Sequence, residues 1–262
     1  MLSAITEAAF AAGQPAINPP LNASESTSKP TQQTFNFSAL QKKIKARHPK
    51  LSLQLGGFWG SQGADQHINI DGAIGDDFSI NHQTRSNGLV GLGYYLDGQQ
   101  TKYANLFYGI NAFYLPRTEI NGIVTQESLF ANLAYNYFIT NWPIYFAAKA
   151  DVKNKYSDKY NLTLDVGIGP NILNISQFNE QSLDEGTTLP DSIFAGQTMA
   201  AFSAMAGIGL KFNQFFGKAP LECGYRFFYL GQGNLRALTN QTLNRLNTGR
   251  SYANALMCSI TI

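Results

Sequence analysis

Between Tyr160 and the C-terminus the sequence alternates apolar and polar residues with a period of two, and almost every charge falls on one face. The clearest stretch is residues 161–169, NLTLDVGIG. Successive side chains of a β-strand point to opposite sides, so such a strand lies between an apolar and a polar environment. Many such strands in a chain poor in charge predict a closed β-barrel with lipid outside and a polar lumen inside. The apolar members of the stretch are Leu162, Leu164, Val166 and Ile168.

Composition favours the same class. The chain has 262 residues, enough for one large all-β domain, and only 14% of them are charged, against roughly 25% in soluble domains. No uninterrupted apolar run approaches the roughly 18 residues of a membrane-spanning helix. A chain of this kind can therefore span a membrane only as a closed barrel. The net charge of +2 is too small and too scattered for a nucleic-acid surface.

The first residues differ from the rest. We expect residues 1–47 to hold a signal remnant, a polar linker and a short basic segment, and residues 48–262 to form the barrel. Ala9-Phe10-Ala11 has the form of a secretory cleavage site, although Glu7 interrupts the apolar region before it. Residues 37–47 place apolar residues at helical spacing beside four basic ones. This segment is either a solvated turn or a basic plug or interfacial helix at the barrel mouth.

Eight strands are predicted, with long and short connections in turn. Long connections at the outer surface and short turns on the periplasmic side are typical of outer-membrane barrels, and an even strand number leaves both termini periplasmic. We expect the first long loop to be extracellular and mobile, because it has no stable apolar period. The strands are predicted near 50–60, 85–96, 101–115, 135–153, 160–173, 198–212, 220–230 and 251–262. The long connections are 61–84, 116–134, 174–197 and 231–250, and the short ones are 97–100, 154–159 and 213–219.

A soluble, lipocalin-like barrel with its apolar face inward is the alternative to a membrane barrel. Alternation alone does not separate the two. The polar face carries Gly, Asn, Ser and Ala more often than Lys and Glu, which suits a packed lumen better than a solvated surface. The regular change between long and short connections also favours the membrane barrel.

From residue 135 onward several short motifs recur in a consistent order. They are Tyr135-Asn-Tyr137, Gly167-Ile-Gly-Pro-Asn171, Ala206-Gly-Ile-Gly209, Gly224-Tyr-Arg-Phe227 with Tyr229-Leu-Gly231, and Gln241-Thr-Leu-Asn244. In these the chain resembles the small OmpA-like eight-stranded outer-membrane barrels, including barrels of intracellular gamma-proteobacteria. The resemblance implies an eight-stranded barrel in the bacterial outer membrane, with no catalytic residues to carry over. We expect no cofactor and no metal. These barrels usually end in an aromatic residue read by the barrel-insertion machinery, whereas this chain ends in Ile262, which predicts less efficient insertion.

The chain offers few residues for catalysis. Its three histidines are His48, His67 and His82. An outer-membrane lipid hydrolase needs a His and a Ser close together near the membrane rim, and His82 with Ser86 and Asn87 is the nearest candidate. Asp76 and Asp77 near His82 also suggest a carboxylate–histidine protease. We interpret these residues as ordinary polar loop residues and expect no enzyme.

Two further sets of side chains leave alternatives open. Asp65, Asp71, Asp76 and Asp77 are either solvated loop residues, the reading we favour, or ligands of a divalent cation between the loop and lipopolysaccharide. Cys223 and Cys258 fall on the apolar face of neighbouring strands. A disulfide is sterically conceivable there, but small lipid-facing hydrophobic side chains are the preferred interpretation.

The polar face is predicted to carry structural ion pairs inside the lumen. Pairing across the short turns places Lys149 opposite Asp165 and Lys211 opposite Glu222. It also places Arg226 opposite Gly207, whose lack of a side chain leaves room for the guanidinium. Opposite charges that face each other across strands stabilise a sheet.

The sequence thus predicts a surface-exposed outer-membrane barrel that is envelope-structural or interacts with a host or other ligand through its long loops. The expected partners are outer-membrane lipid, lipopolysaccharide, the insertion machinery and a host surface ligand, with no nucleic acid. A narrow porin-like channel for small solutes is the alternative, and a lipid hydrolase is a remote one.

Overall fold

The computed structural model describes residues 49–81, 84–217 and 219–262. The predicted leader, residues 1–47, lies outside these ranges, as do His48 and His82. Within them the regular structure consists of β-strands. The strands are β1 (Pro49–Ser61), β2 (Gln66–Ile68), β3 (Asp76–Ile80), β4 (Arg85–Gln100), β5 (Ala104–Gln126), β6 (Phe130–Val152), β7 (Tyr160–Ser182), β8 (Phe194–Ala195), β9 (Thr198–Phe216), β10 (Ala219–Gly231), β11 (Arg236–Ala237) and β12 (Ser251–Thr261).

Eight of these strands close into a ring. Going round it, β1 is followed by β4, β5, β6, β7, β9, β10 and β12, and β12 pairs again with β1. Every pairing in the ring is antiparallel. Apart from the closing pair of β1 and β12, each pairing joins consecutive members of these eight strands, with only the short strands β2, β3, β8 and β11 lying between some of them in the chain. The predicted eight-stranded up-and-down barrel is confirmed.

The outer surface of the barrel is apolar over most of its height. Val166 and Ile168, predicted to face lipid, are 56% and 59% exposed on the outside. Asp165, which precedes Val166 in the chain, points to the other side and is almost completely buried. Leu53, Ile110 and Phe146 continue this outer face on other strands. Among the described residues, no helix has the length and hydropathy needed to cross a membrane. A closed barrel with an apolar outer belt is built to span a bilayer.

Three strands are much longer than a bilayer requires, and two of them, β5 and β7, are also much longer than predicted. β5, β6 and β7 each have 23 residues, whereas a transmembrane strand needs about 9–11. The prediction of a long loop over residues 116–134 is wrong, because β5 and β6 continue as one hairpin. Glu127 and Ser128 form its tight turn with positive φ angles of 52° and 57°.

The extra length escaped prediction because the two faces of the sheet exchange character part of the way along. A register shift between Leu115 and Thr118 moves the inward side of β5 by one residue. Beyond it, Ile120 and Val124 are buried inside, and the polar Glu119 and Asn121 point outward.

The exchange marks the level at which the outer surface stops being apolar. In β6 the exchange lies just before Trp142 in the chain, and the ring of Trp142 lies 4.2 Å from that of Tyr114 on the outside. Above this pair the outward residues of β6 include Thr140 and Asn136, and the inward ones are Tyr137 and Tyr135. Aromatic rings at the rim of the apolar belt are typical of the lipid headgroup region.

Beyond this level the described residues of the long connections and strand extensions (62–81, 84–87, 116–140, 173–197 and 232–250) form a folded part that we call the cap. The hairpin β2–β3 pairs with the extension of β5, and Ile68 and Phe78 on it are fully buried. The expectation that residues 61–84 are a mobile loop is therefore wrong for this hairpin. The cap has an apolar core of its own, formed by Ile68, Phe78, Ile120, Val124, Leu133, Tyr135, Tyr137, Ile139, Leu173, Ile175, Phe194, Leu235 and Leu246.

Candidate functional site

The lumen near the short turns is crossed by three ion pairs. Their carboxylates are almost completely buried, so each charge depends on its partner rather than on water. The Lys211 ammonium lies 2.6 Å from Asp151. The pairs are Lys149 with Glu222, Lys211 with Asp151, and Arg226 with Asp165.

The predicted registers occur, but the predicted ion-pair partners do not. Lys149 lies opposite Asp165, Lys211 opposite Glu222, and Arg226 opposite Gly207 in the strand ladders. The ion pairs nevertheless join non-adjacent strands. Side chains at directly opposite positions extend parallel to each other into the lumen, so their charged ends meet groups on more distant strands. A long basic side chain in a narrow barrel therefore reaches an acid farther round the wall.

A chain of neutral polar side chains, not predicted from the sequence, extends this network. Arg226 donates a hydrogen bond to Gln54, whose Nε2 donates to Asn111 Oδ1 at 3.2 Å. Asn111 Nδ2 in turn donates to the Tyr95 hydroxyl at 2.6 Å. The sequence signal for these residues is their place in the inward phase of β1, β4 and β5.

Aromatic rings fill the middle of the lumen. The rings of Phe113 and Phe228 meet edge to face, with centroids 5.1 Å apart, and Tyr145 packs against both. The Tyr145 hydroxyl shares a 2.6 Å hydrogen bond with Ser203 Oγ. All four residues are at most 2% exposed. Together with the ion pairs, these rings fill much of the lumen.

A cavity of about 320 Å³ opens at the short-turn end of the barrel. Lys50, Phe107 and Lys211 line its wall, and Lys149 and Glu222 also border it. Lys50 is itself paired with Asp97 at 2.8 Å. The cavity is therefore a vestibule that ends at the buried ion pairs.

Amide side chains tie the long connections of the cap together. Gln66 and Asn247 exchange two hydrogen bonds, at 2.7 and 2.9 Å, between β2 and the connection after β11. Asn244 accepts from the Asn69 amide and donates to the His67 carbonyl, each at 2.7 Å. The cap is thus cross-linked over sequence separations of more than 170 residues.

A second cavity, of about 340 Å³, lies in the cap beside the β5–β6 hairpin turn. Asp76, Glu127 and Asp191 line it, together with Phe130 and Ile70, and none of its lining residues is basic. Asp76 accepts a hydrogen bond from the Glu127 amide at 3.0 Å. Burial nevertheless raises the pKa of Asp76 above its ordinary value. The cavity is therefore an acidic, partly desolvated site.

The described part of the cap is acidic as a whole. It contains ten carboxylates and five arginines, and no lysine. The lysines of the described chain belong to the lumen and the short-turn end. The cap carboxylates are Asp65, Asp71, Asp76, Asp77, Glu119, Glu127, Glu180, Asp184, Glu185 and Asp191; the arginines are Arg85, Arg117, Arg236, Arg245 and Arg250.

The residues considered for catalysis do not form a reactive site among the described ones. His67 has its Nδ1 2.7 Å from Asp77 Oδ1 and its Nε2 3.1 Å from the Ile74 carbonyl. With both nitrogens engaged by acceptors, the ring has no free nitrogen for general-base catalysis. Ser86 belongs to β4, beside Asn87, which donates to the Arg117 carbonyl at 3.2 Å. In the described ranges no group of three or more His, Cys, Asp or Glu side chains is arranged to hold a metal ion.

The two cysteines form a disulfide bond, which corrects the preferred interpretation of them as free hydrophobic side chains. Cys223 in β10 lies directly opposite Cys258 in β12, with Cα atoms 4.0 Å apart. The pair lies on the outer face, where Cys258 is exposed among the apolar residues of the belt. The bond links the last strand to its neighbour over a sequence separation of 35.

Comparison with known proteins yields similarities of architecture only. No family model and no curated protein matches the chain by sequence. Among solved structures, similar chains include the outer membrane protein OprG of Pseudomonas aeruginosa, with 8% identity, 82% of this chain and 97% of that chain covered, and a TM-score of 0.47. Neisserial surface protein A has 8% identity, coverage of 81% and 96%, and a TM-score of 0.38. The outer membrane protease OmpT of Escherichia coli has 8% identity, coverage of 81% and 95%, and a TM-score of 0.44. We take no residue role or activity from any of them.

Proposed function

We propose that this protein is a non-conducting barrel of the bacterial outer membrane that presents its folded cap to the outside of the cell. The observation that carries the proposal is the filled lumen. Phe113, Tyr145 and Phe228 close the middle of the lumen, and buried ion pairs close it near the short turns. A barrel of eight strands has room inside for packed side chains rather than for an aqueous channel.

The cap supports a role in display or binding rather than in solute passage. An apolar core and cross-linking amides hold the cap in one shape. Three strands, β5, β6 and β7, continue into it well beyond the apolar belt. The proposed orientation places the cap outside and the short turns in the periplasm, the usual asymmetry of such barrels. In this role the partners are outer-membrane lipid and lipopolysaccharide around the belt, the insertion machinery during assembly, and a ligand at the cap.

Surface labelling of intact cells tests the orientation. One variant carries a short epitope after Gly186 in the β7–β8 connection, and a matched variant carries it after Tyr156 in the β6–β7 turn. Both sites are exposed, so neither insertion disturbs a packed residue. We expect antibody to bind the first variant on intact cells and the second only after the outer membrane is opened. The reverse pattern would overturn the orientation.

The narrow channel and the enzyme are the competing functions. A channel is disfavoured because the vestibule at the short-turn end stops at Lys149 and Glu222. Hydrolysis finds no support among the described histidines, because hydrogen bonds occupy both nitrogens of His67; the sequence candidate His82 lies outside the described residues. We expect purified protein to give no channel openings in planar bilayers and no release of fatty acid from phospholipid or lipid A.

A further inference from the structure

The tip of the cap exposes large apolar side chains in the part of the molecule that lies beyond the apolar belt. Ile74, Leu129 and Phe130 are 61%, 71% and 59% exposed. The outside of β5 and β6 between them and the apolar belt carries the polar Glu119, Asn121 and Asn136 beside Ile123 and Phe138. This mixed band separates the tip from the lipid-facing surface. Exposed apolar groups clustered on a water-facing surface mark an interaction site.

These side chains belong to the two segments that line the acidic cavity of the cap. Phe130 lines the cavity itself, Leu129 is the preceding residue at the hairpin turn, and Ile74 lies in the chain between the lining residues Ala73 and Gly75. Gln126 Nε2 donates to Asp191 Oδ2 at 3.2 Å, which holds the connection after β7 against the hairpin. The apolar rim and the acidic cavity therefore form one continuous surface, which we call the tip surface.

The charge of the tip surface selects the kind of partner. Asp76, Glu127 and Asp191 line the cavity with no basic residue among its lining, and the described cap has twice as many carboxylates as arginines. A metal ion fits poorly, because Asp76 already accepts the Glu127 amide and the described residues hold no metal-binding group. A cationic side chain on an apolar backbone segment complements both parts of the surface. A cavity of about 340 Å³ falls in the range of ligand pockets.

We propose that the tip surface docks a basic polypeptide segment, with a Lys or Arg side chain entering the cavity between Asp76, Glu127 and Asp191 and its apolar neighbours covering Ile74, Leu129 and Phe130. The proposal rests on the display function proposed above, since it names the partner chemistry of the same cap. Its affinity depends on charge-assisted hydrogen bonds in the cavity and on apolar contact at the rim.

A binding measurement on the purified full chain in nanodiscs of zwitterionic lipid tests the proposal. The probe is a short labelled peptide in which one Lys is flanked by Leu and Phe, and the matched peptide has Gln in place of Lys. Empty nanodiscs set the background. We expect the Lys peptide to bind at least about tenfold more tightly than the Gln peptide, the difference that one charge-assisted contact supplies.

Two variants place the binding at the tip surface. Glu127→Gln with Asp191→Asn should weaken binding of the Lys peptide about tenfold or more, whereas Asp71→Asn with Glu185→Gln, which removes the same charge outside the cavity, should leave it nearly unchanged. Leu129→Ser should also weaken it, while Tyr156→Ser at the short-turn end should not. Residues 129 and 156 are exposed, so these changes preserve the fold.

Absence of binding, equal affinity for the two peptides, or equal losses in the cavity and control variants would overturn the proposal. None of these outcomes bears on orientation or conductance, which are measured separately.

Discussion

Lys149 lies directly opposite Asp165 in the β6–β7 ladder, yet its ammonium group pairs with Glu222 in β10. Asp165 pairs instead with Arg226. The ion pairs of the barrel interior therefore join strands that are not adjacent in the ring. A network of this kind couples strands that share no backbone hydrogen bonds.

The buried pair of Lys149 and Glu222 should show strong coupling in a double-mutant cycle. We expect Lys149→Met alone to cost about 3–5 kcal/mol of unfolding free energy, because it strands a buried carboxylate, and the double change with Glu222→Gln to cost less than the sum of the singles. The partly exposed pair of Lys50 and Asp97 is the matched control and should couple by no more than about 1 kcal/mol. Additive effects at Lys149 and Glu222 would contradict the pairing.

Substitutions in β7 should separate the lipid face from the lumen. Val166→Arg places a charge in the apolar belt and should cost about 2–4 kcal/mol if residue 166 lies near the bilayer midplane, whereas Val166→Leu should be nearly neutral. At Gly167 an added Cβ meets Tyr145 Cβ at 2.9 Å and Met205 Cε at 3.1 Å, so Gly167→Arg should fail through crowding. Urea titrations of folding into lipid vesicles measure all three. Equal tolerance of Arg and Leu at position 166 would refute the lipid-facing assignment.

The disulfide should stabilise the barrel without being required for it. Closing a loop over a separation of 35 residues contributes about 3–4 kcal/mol in the chain-entropy account. The Cys223→Ala, Cys258→Ala double variant should therefore insert but unfold at lower urea concentration than the oxidised protein. The reduced wild-type chain is the control for the change of side chain. If oxidised and reduced wild type unfold at the same urea concentration, the bond has no stabilising role.

The pair of His67 and Asp77 should titrate together. The hydrogen bond with Asp77 raises the pKa of His67 above 6.5, and hydrogen bonds with Ser128 and His67 lower the pKa of Asp77. The stabilisation that comes from the raised pKa of His67 is lost as the pH rises through that pKa. The stabilisation that comes from the lowered pKa of Asp77 is lost as the pH falls through that pKa. The pair therefore stabilises the cap between the two values. In an NMR titration, Asp77→Asn should lower the His67 midpoint, and His67→Gln identifies its signal. An unchanged midpoint would exclude the pair.

The fold was predictable from the sequence wherever the outer surface meets lipid, and not beyond it. Period-two alternation identified the eight strands because the polar lumen and apolar belt keep one phase through residues such as Val166 and Ile168. At Leu115 to Thr118 a bulge shifts the phase, and the apolar side turns inward to form the cap core. Asn121 and Gly122, which resemble turn residues, then lie within a strand.

The lumen was partly predictable for a similar reason. Short turns fix the register, so the residues opposite Lys149, Lys211 and Arg226 follow from counting along the chain. The ion-pair partners depend on the path of long side chains across the barrel, which register does not specify. The hairpin β2–β3 depends on pairing with β5, more than 40 residues away, and the local pattern of 61–84 contains no sign of it.

The central claim, a transmembrane barrel with a closed lumen, is tested most directly by the conductance of the purified, folded protein in planar bilayers. A pore-forming barrel reconstituted in the same way serves as the control for detection. With the lumen closed by Phe113, Tyr145, Phe228 and the buried ion pairs, the protein should insert, as judged by protection of its strands from protease, and leave the bilayer current at baseline. Repeated openings of uniform size, with an ion selectivity that changes in Glu222→Gln, would contradict the account and show that the lumen conducts.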